Sequence, residues 1–194
     1  LSQRLRRTAK RWLYRLIVFL DFEASSLSKK SFPIEVAWVF ENGQSRSALI
    51  RPAPDWTDWS PEAEAIHGIP RRRLLDEGLS VGIIATEMID ALSGHKLYAS
   101  APCWDGKWLS ALLRAAGYQR HALRLARSEE AFFDSARMAA GAKLTDAEIS
   151  ALVATILLKT EPVVLAHRAL PDAVLELGRW RSIRAIGGVP TGKI

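Results

Sequence analysis

Leu16-Ile17-Val18-Phe19-Leu20-Asp21-Phe22-Glu23 is the stretch on which the fold of this chain turns. Apolar, β-branched and aromatic residues run almost unbroken from Leu16 to Phe22, as in a strand buried on both faces. The apolar part before Asp21 is five residues long, well short of the roughly 7 to 15 of a signal-peptide core and the roughly 20 of a membrane span. In a strand, residues i and i+2 point to the same face, so Asp21 and Glu23 can reach one point at the strand's end.

Working outward, Ile34 to Phe40 follows Pro33 as a second apolar run, with Glu35 its only charged interruption. Asn42-Gly43 is a hairpin turn signal, and Ser47 to Arg51 is then the returning third strand, ended by Pro52. The opening reads as an antiparallel meander. Ser60-Pro61 suits a helix start, and a helical pattern runs from Ser80 to Leu92. Lys96 to Ser100 is a short strand, followed by a helix from about Trp104 to Ala116 that stops at Gly117. Thr145 and Glu148 form a capping-box pattern before the apolar run Ile149 to Leu158. Val163 to Ala166 reads as a late parallel strand, and Pro171 as the start of a last helix. Strands first and helices interleaved afterwards predict a three-layer α/β domain with a mixed five-stranded sheet flanked by helices.

The composition of the 194 residues, 48% hydrophobic and 25% charged, is that of a globular domain. The single cysteine, Cys103, cannot form an internal bridge; a reducing, cytoplasmic setting is the expectation. Net charge is +6, from 27 basic and 21 acidic residues. Six of the basic groups (Arg4, Arg6, Arg7, Lys10, Arg11 and Arg15) lie in residues 1 to 15, which hold no acid, so the other 21 balance the acids. The basic excess therefore belongs to an N-terminal arm, suited either to touching phosphates, acidic lipid or a partner, or to being simply a solvated terminus.

Asp105 lies 82 residues beyond Glu23, early in a helix that directly follows a strand. That is the open end of a sheet, where ligand sites gather in α/β folds. Asp172 stands likewise just after Pro171, and His167 five residues earlier on the preceding loop. Converging carboxylates are costly to bury unless protons, basic partners or cations compensate them. Hard divalent cations with oxygen ligands suit them best, Mg²⁺ leaving positions for water and substrate phosphate. A histidine beside such a group suits general-base work at neutral pH.

Leu20-Asp21-Phe22-Glu23-Ala24-Ser25-Ser26-Leu27, Ala65-Ile66-His67-Gly68-Ile69, Asp105 and His167-Arg168-Ala169-Leu170-Pro171-Asp172-Ala173 together resemble the DEDDh 3′ to 5′ exonucleases of the DnaQ-like superfamily. The resemblance covers about residues 16 to 180, the expected exonuclease domain, between a basic arm (1–15) and a flexible basic tail (181–194). It implies an RNase H-like fold in which Asp21, Glu23, Asp105 and Asp172 hold two Mg²⁺ or Mn²⁺ ions and His167 activates the attacking water. The activity it implies is hydrolysis of single-stranded DNA or RNA from the 3′ end to 5′-mononucleotides. Ile66 and His67 match the segment that meets the terminal nucleotide, and Phe22 and Ala24 would line the same pocket, with backbone groups facing the 3′ hydroxyl. No membrane span is expected, and the sequence names no protein partner.

Two departures bear on substrate grip. Ala24, Ser25 and Ser26 stand where many members carry threonines and a glycine, and Cys103-Trp104 where many carry His-Asn before the aspartate. A non-catalytic nucleic-acid-binding or partner-docking module on the same fold is the rival from another class, and an internal-cutting nuclease a third reading. His67 also fits a plain helix end before Gly68. Trp56 and Trp59 suit packing of a long loop over the core better than base stacking, Trp104 and Trp108 the core face of a helix, and Cys103 a small buried residue.

Overall fold

β1 (Ile17–Ala24) is a strand because its alternate side chains feed two different cores. Val18, Leu20, Phe22 and Ala24 enter one apolar cluster, while Phe19 enters another on the opposite face. β1 pairs antiparallel with β2 (Pro33–Phe40), which pairs antiparallel with β3 (Ser45–Leu49). The hairpin turns at Asn42-Gly43, where Gly43 takes φ 92° and donates to the Phe40 carbonyl at 2.8 Å. On its other edge β1 pairs parallel with β4 (Lys96–Ala99), and β4 parallel with β5 (Leu125–Arg127). The five-stranded sheet is therefore mixed, in the order β3-β2-β1-β4-β5. The computed structural model describes residues 15–163 and 166–186.

Helices cover both faces. α1 (Pro61–His67), α2 (Arg71–Glu77) and α3 (Val81–Leu92) precede β4, α4 (Pro102–Ala115) follows it, and α5 (Ser128–Ala140), α6 (Asp146–Lys159) and α7 (Ala169–Ala185) come after β5. α3 and α4 bury Ile84, Met88, Leu92, Leu109 and Leu112 against Val18, Leu20 and Val36. α5, α6 and α7 bury Phe132, Val153, Leu177 and Trp180 against Phe19 and Val39 on the other face. Each such side chain contributes roughly 1.5–3 kcal/mol by leaving water. A smaller cluster of Phe32, Ile34, Ile69 and Leu74 lies beneath Trp56 and Trp59, with Trp56 stacked on Phe32 at 5.2 Å, so these two tryptophans pack a loop as expected.

Several boundaries follow from capping. The Ser60 hydroxyl accepts from the Ala63 amide, Pro61 opens α1, and Gly68 at φ 65° closes it. Thr145 and Glu148 form the expected capping box of α6. Gly78 ends α2 where a Cβ would meet the Leu74 carbonyl and lie 2.6 Å from the Arg51 amide nitrogen; only glycine permits this approach.

Other expectations are corrected. The fifth strand is Leu125–Arg127, not Val163 to Ala166. Of the latter, residues 164 and 165 lie outside the described residues, and Val163 is a fully exposed bend. α4 and α7 each begin two residues earlier than predicted, at Pro102 and Ala169. α7 continues to Ala185 with Ile183 buried, so the expected boundary at 181 falls inside a packed helix. Cys103 is exposed rather than buried, and Trp104, 39% exposed, is not a core residue although Trp108 is. Most of the basic arm and the tail beyond 186 lie outside the described residues. Among those described, no helix is long and apolar enough to cross a membrane.

Candidate active site

Asp21 and Glu23 continue the face of β1 that Phe19 begins, and α7 lies across that face. Asp172, in the first turn of α7, is thereby brought over the end of β1. One carboxylate oxygen from each of Asp21, Glu23 and Asp172 falls within 4.8 Å of the others. The start of α7 is clasped to the sheet by Glu35, which stands opposite Glu23 on β2. The buried Glu35 carboxylate accepts from the Arg168 guanidinium at 2.6 and 2.9 Å and from the Ala169 amide at 3.1 Å. Such a bidentate pair fixes orientation as well as charge.

Asp105 approaches from the other layer, in the first turn of α4, just past the end of β4 beside β1. It stands outside the close trio, yet it is only 2% exposed and its charge acts directly on Asp21. Its Oδ2 atom is buried without a hydrogen-bond partner. Glu176, one helical turn beyond Asp172, adds a further negative charge that acts on both Asp21 and Asp105, and is itself paired with Arg179 at 2.9 Å.

The electrostatics follow from this crowding. Burial, then the charges of Asp105, Glu23 and Asp172, push the Asp21 carboxyl well above the usual range. Burial, then Asp172 and Glu35, push Glu23 up to about 8, against the opposing pull of Arg168. Burial raises Asp105 to about 7 despite favourable contacts with the backbone at Ala101, Phe22 and Asp105 itself. Asp172 is raised by burial and eased by His167. Buried acids at one point, short of matching cations, must take up protons or a metal. The donor set is oxygen only, and the orphaned Asp105 Oδ2 is available as a ligand, so these residues fit hard divalent ions such as Mg²⁺ or Mn²⁺.

His167 is half-buried on the loop before α7 at φ 45°, a left-handed conformation uncommon outside glycine. Its influence on Asp172 puts the imidazole within electrostatic reach of the carboxylates. The Phe22 and Ala24 side chains face the core on the other side of the sheet, which leaves their backbone groups for the side of the acids. Ile66 is 59% exposed on α1. His67 turns inward, its Nδ1 accepting from the Ile69 amide at 3.0 Å, while its Nε2 is buried with no partner. Burial lowers its pKa, against the opposing charges of Glu64 and then Glu35. Ser25 and Ser26, at the departures after β1, tie the strand's exit in place. Ser25 Oγ accepts from the Phe32 amide at 3.1 Å, and Ser26 Oγ donates to Asp58.

Sequence reasoning overlooked Glu35, Arg168 and Glu176. Glu35 was signalled as a lone charge in an apolar strand, and Glu176 by its i+4 spacing from Asp172, which puts both on one helical face. Arg168 carried no signal until its partner was placed.

No family model and no curated protein matches this chain. Solved structures do. Exonuclease I of E. coli in complex with a dT13 oligonucleotide aligns with a TM-score of 0.63 and 14% identity over 89% of this chain and 41% of that one. The zinc-bound exonuclease I–ssDNA complex of E. coli aligns at 0.62 and 14%, over 91% and 41%. A moderately thermophilic exonuclease I from Methylocaldum szegediense aligns at 0.62 and 17%, over 88% and 41%. The chain thus spans about two fifths of the length of these exonucleases I. What the likeness shows is the fold: a mixed α/β sheet of the RNase H-like type that exonuclease I carries.

Proposed function

We propose that this chain is a metal-dependent 3′ to 5′ exonuclease that hydrolyses phosphodiester bonds at single-stranded DNA or RNA ends and releases 5′-mononucleotides. The observation that carries the reading is the convergence of Asp21, Glu23 and Asp172 within 4.8 Å, with buried Asp105 acting on the same point. Support also comes from the neighbours of like fold, which are exonucleases solved with single-stranded DNA. A cytoplasmic setting suits a chain whose one cysteine is exposed and unbridged.

Asp21, Glu23, Asp105 and Asp172 would hold two Mg²⁺ or Mn²⁺ ions. When bound, the ions polarise the scissile phosphate and offset charge on the attacking and leaving oxygens. His167, whose charge acts on Asp172, takes the proton of the attacking water. Glu35 and Arg168 position Asp172 by fixing the start of α7. Exposed Ile66 offers an apolar surface to the terminal base, and the backbone at Phe22 and Ala24 faces its sugar. His67 Nε2, buried and unpartnered, supplies a further polar group.

The test is degradation of a 3′-labelled oligonucleotide in Mg²⁺ or Mn²⁺, with and without EDTA. Wild type yields mononucleotides from the 3′ end, while Asp21→Ala, still folded, yields none. An active Asp21→Ala protein refutes the reading. Binding without hydrolysis by the wild type indicates a non-catalytic module, and degradation of a closed circle an internal cutter.

A further inference from the structure

A second surface begins on the same helical turn as Asp105. α4 turns Asp105 toward the sheet but presents a different face, at four-residue intervals from Pro102 through Gly106 and Ser110 to Arg114, to a cleft of about 610 Å³. Gly106 and Ser110 put little side chain on this wall. The opposite wall is the segment between α4 and β5, which contributes Arg120, His121 and Arg124, with Leu109 and Leu123 also lining the cleft. Among the described residues, no carboxylate lines it.

What sets the cleft apart is that three cations, none held by a described acid, line one concavity. Arg46, Arg72, Arg73, Arg137, Arg168 and Arg179 each meet an acid within 4 Å. Among the described residues, Arg114, Arg120 and Arg124 form no such pair, and all three are exposed. Three unneutralised guanidiniums sharing one cleft are a site for a polyanion. Trp104, next in sequence to Cys103 at the cleft's end of the helix, presents a half-exposed ring, stacked on Trp108 at 5.7 Å with the ammonium of Lys107, itself a cleft residue, 5.1 Å from its centroid. An aromatic face next to a cationic track is how single strands are held, bases on the ring and phosphates on the cations. Arg114 lies nine residues beyond Asp105, roughly 13 Å along the helix axis at about 1.5 Å per residue. The track therefore leads away from the carboxylates rather than into them.

We propose that this cleft carries the backbone of the single-stranded nucleic acid upstream of the 3′ end, its phosphates on Arg114, Arg120 and Arg124 and a base on Trp104. The assignment rests on the nuclease reading only for the direction in which the strand runs.

The experiment is fluorescence anisotropy of a labelled oligothymidylate in EDTA over a salt series, with wild type and Arg114→Gln/Arg120→Gln/Arg124→Gln. Each phosphate contact to a single strand contributes about 0.7 to the slope of log affinity against log salt. The triple variant should lose about 2 from that slope, and each single variant about 0.7. Circular dichroism melts check folding, and the single variants at exposed positions stand in if the triple variant is damaged. An unchanged slope overturns the proposal, as does tighter binding of polyglutamate or of a duplex through the same arginines. Hydrolysis of the p-nitrophenyl ester of thymidine 5′-phosphate by the wild type in Mn²⁺ reads the carboxylates without the cleft. Its absence beside a normal slope loss refutes the nuclease reading alone, and its presence beside an unchanged slope overturns the cleft alone.

Discussion

Stripped of divalent ions, this chain should lose stability as the pH rises from 6.5 to 8.5, and Glu23 sets much of the fall. Burial and the neighbouring charges of Asp172 and Glu35 raise its carboxyl from 4.5 to about 8 on folding. A group whose folded pKa exceeds its unfolded value keeps a proton in the native state that the unfolded chain has already released. Its stability contribution is therefore whole below the unfolded pKa and drains away as pH climbs through the folded one. His67, lowered chiefly by burial, works in the opposite sense, and that counter-trend fades above its ordinary 6.5. Between pH 6.5 and 8, at about 1.4 kcal/mol per pH unit, Glu23 alone removes on the order of 2 kcal/mol. For a domain of this size that is a fall of about 4–8 °C in Tm. Thermal melts in EDTA across the window measure it. Repeating them with Mg²⁺ or Mn²⁺ should abolish the fall, since an ion at a hundredfold excess over its Kd adds about 2.7 kcal/mol. Glu23→Gln should flatten the metal-free profile. A metal-free Tm that holds or rises over the window, or a Glu23→Gln profile as steep as wild type, would refute the reasoning.

Arg168→Ala strands the buried Glu35 carboxylate and should cost about 3 kcal/mol, seen as a lowered midpoint in urea; an unchanged midpoint would mean the clasp carries no stability. His167→Ala should lower turnover about 10²- to 10⁴-fold while leaving metal affinity near wild type, and equal losses in turnover and in a metal titration would contradict the base role. Gly78→Ala forces a Cβ against the Leu74 carbonyl and the Arg51 amide and should destabilise by about 1–3 kcal/mol, without affecting catalysis in the surviving folded fraction.

β1, β2 and β4 were legible because each pays its way in apolar side chains on a known period, and the hairpin because Asn42-Gly43 demands a tight turn. β5 was not. It is three residues long, half-buried to exposed, and ends on Arg127, so nothing in its composition sets it apart from loop. Val163 had the better strand composition but projects wholly into solvent. α5 was hidden for a related reason: Arg127 stands at its N-cap, where Ser, Thr, Asp or Asn would have marked a start, and its amide is capped instead by Glu130 at 3.3 Å. The approach of Asp21, Glu23 and Asp172 was readable from a strand end and a helix start, while Asp105 stands outside that trio. The clasp was not, because an ion pair between residues 133 apart in sequence exists only once both elements are in place. Trp104 and Trp108 show the limit of helical spacing as a guide: four apart, they stack on each other, and only the inner ring reaches the core.

The link from Arg168 to Glu35 also bears on when the acidic cluster closes as the polypeptide emerges from the ribosome. Asp21, Glu23 and Asp105 are all translated before α7, and domains made from the N-terminus onward begin folding as they appear. A nascent chain stopped short of residue 168 would hold three of the acids but neither the latch nor Asp172. The docking of α7 is thus the last step in assembling the acidic cluster, since Asp172 joins Asp21 and Glu23 only when that helix is in place.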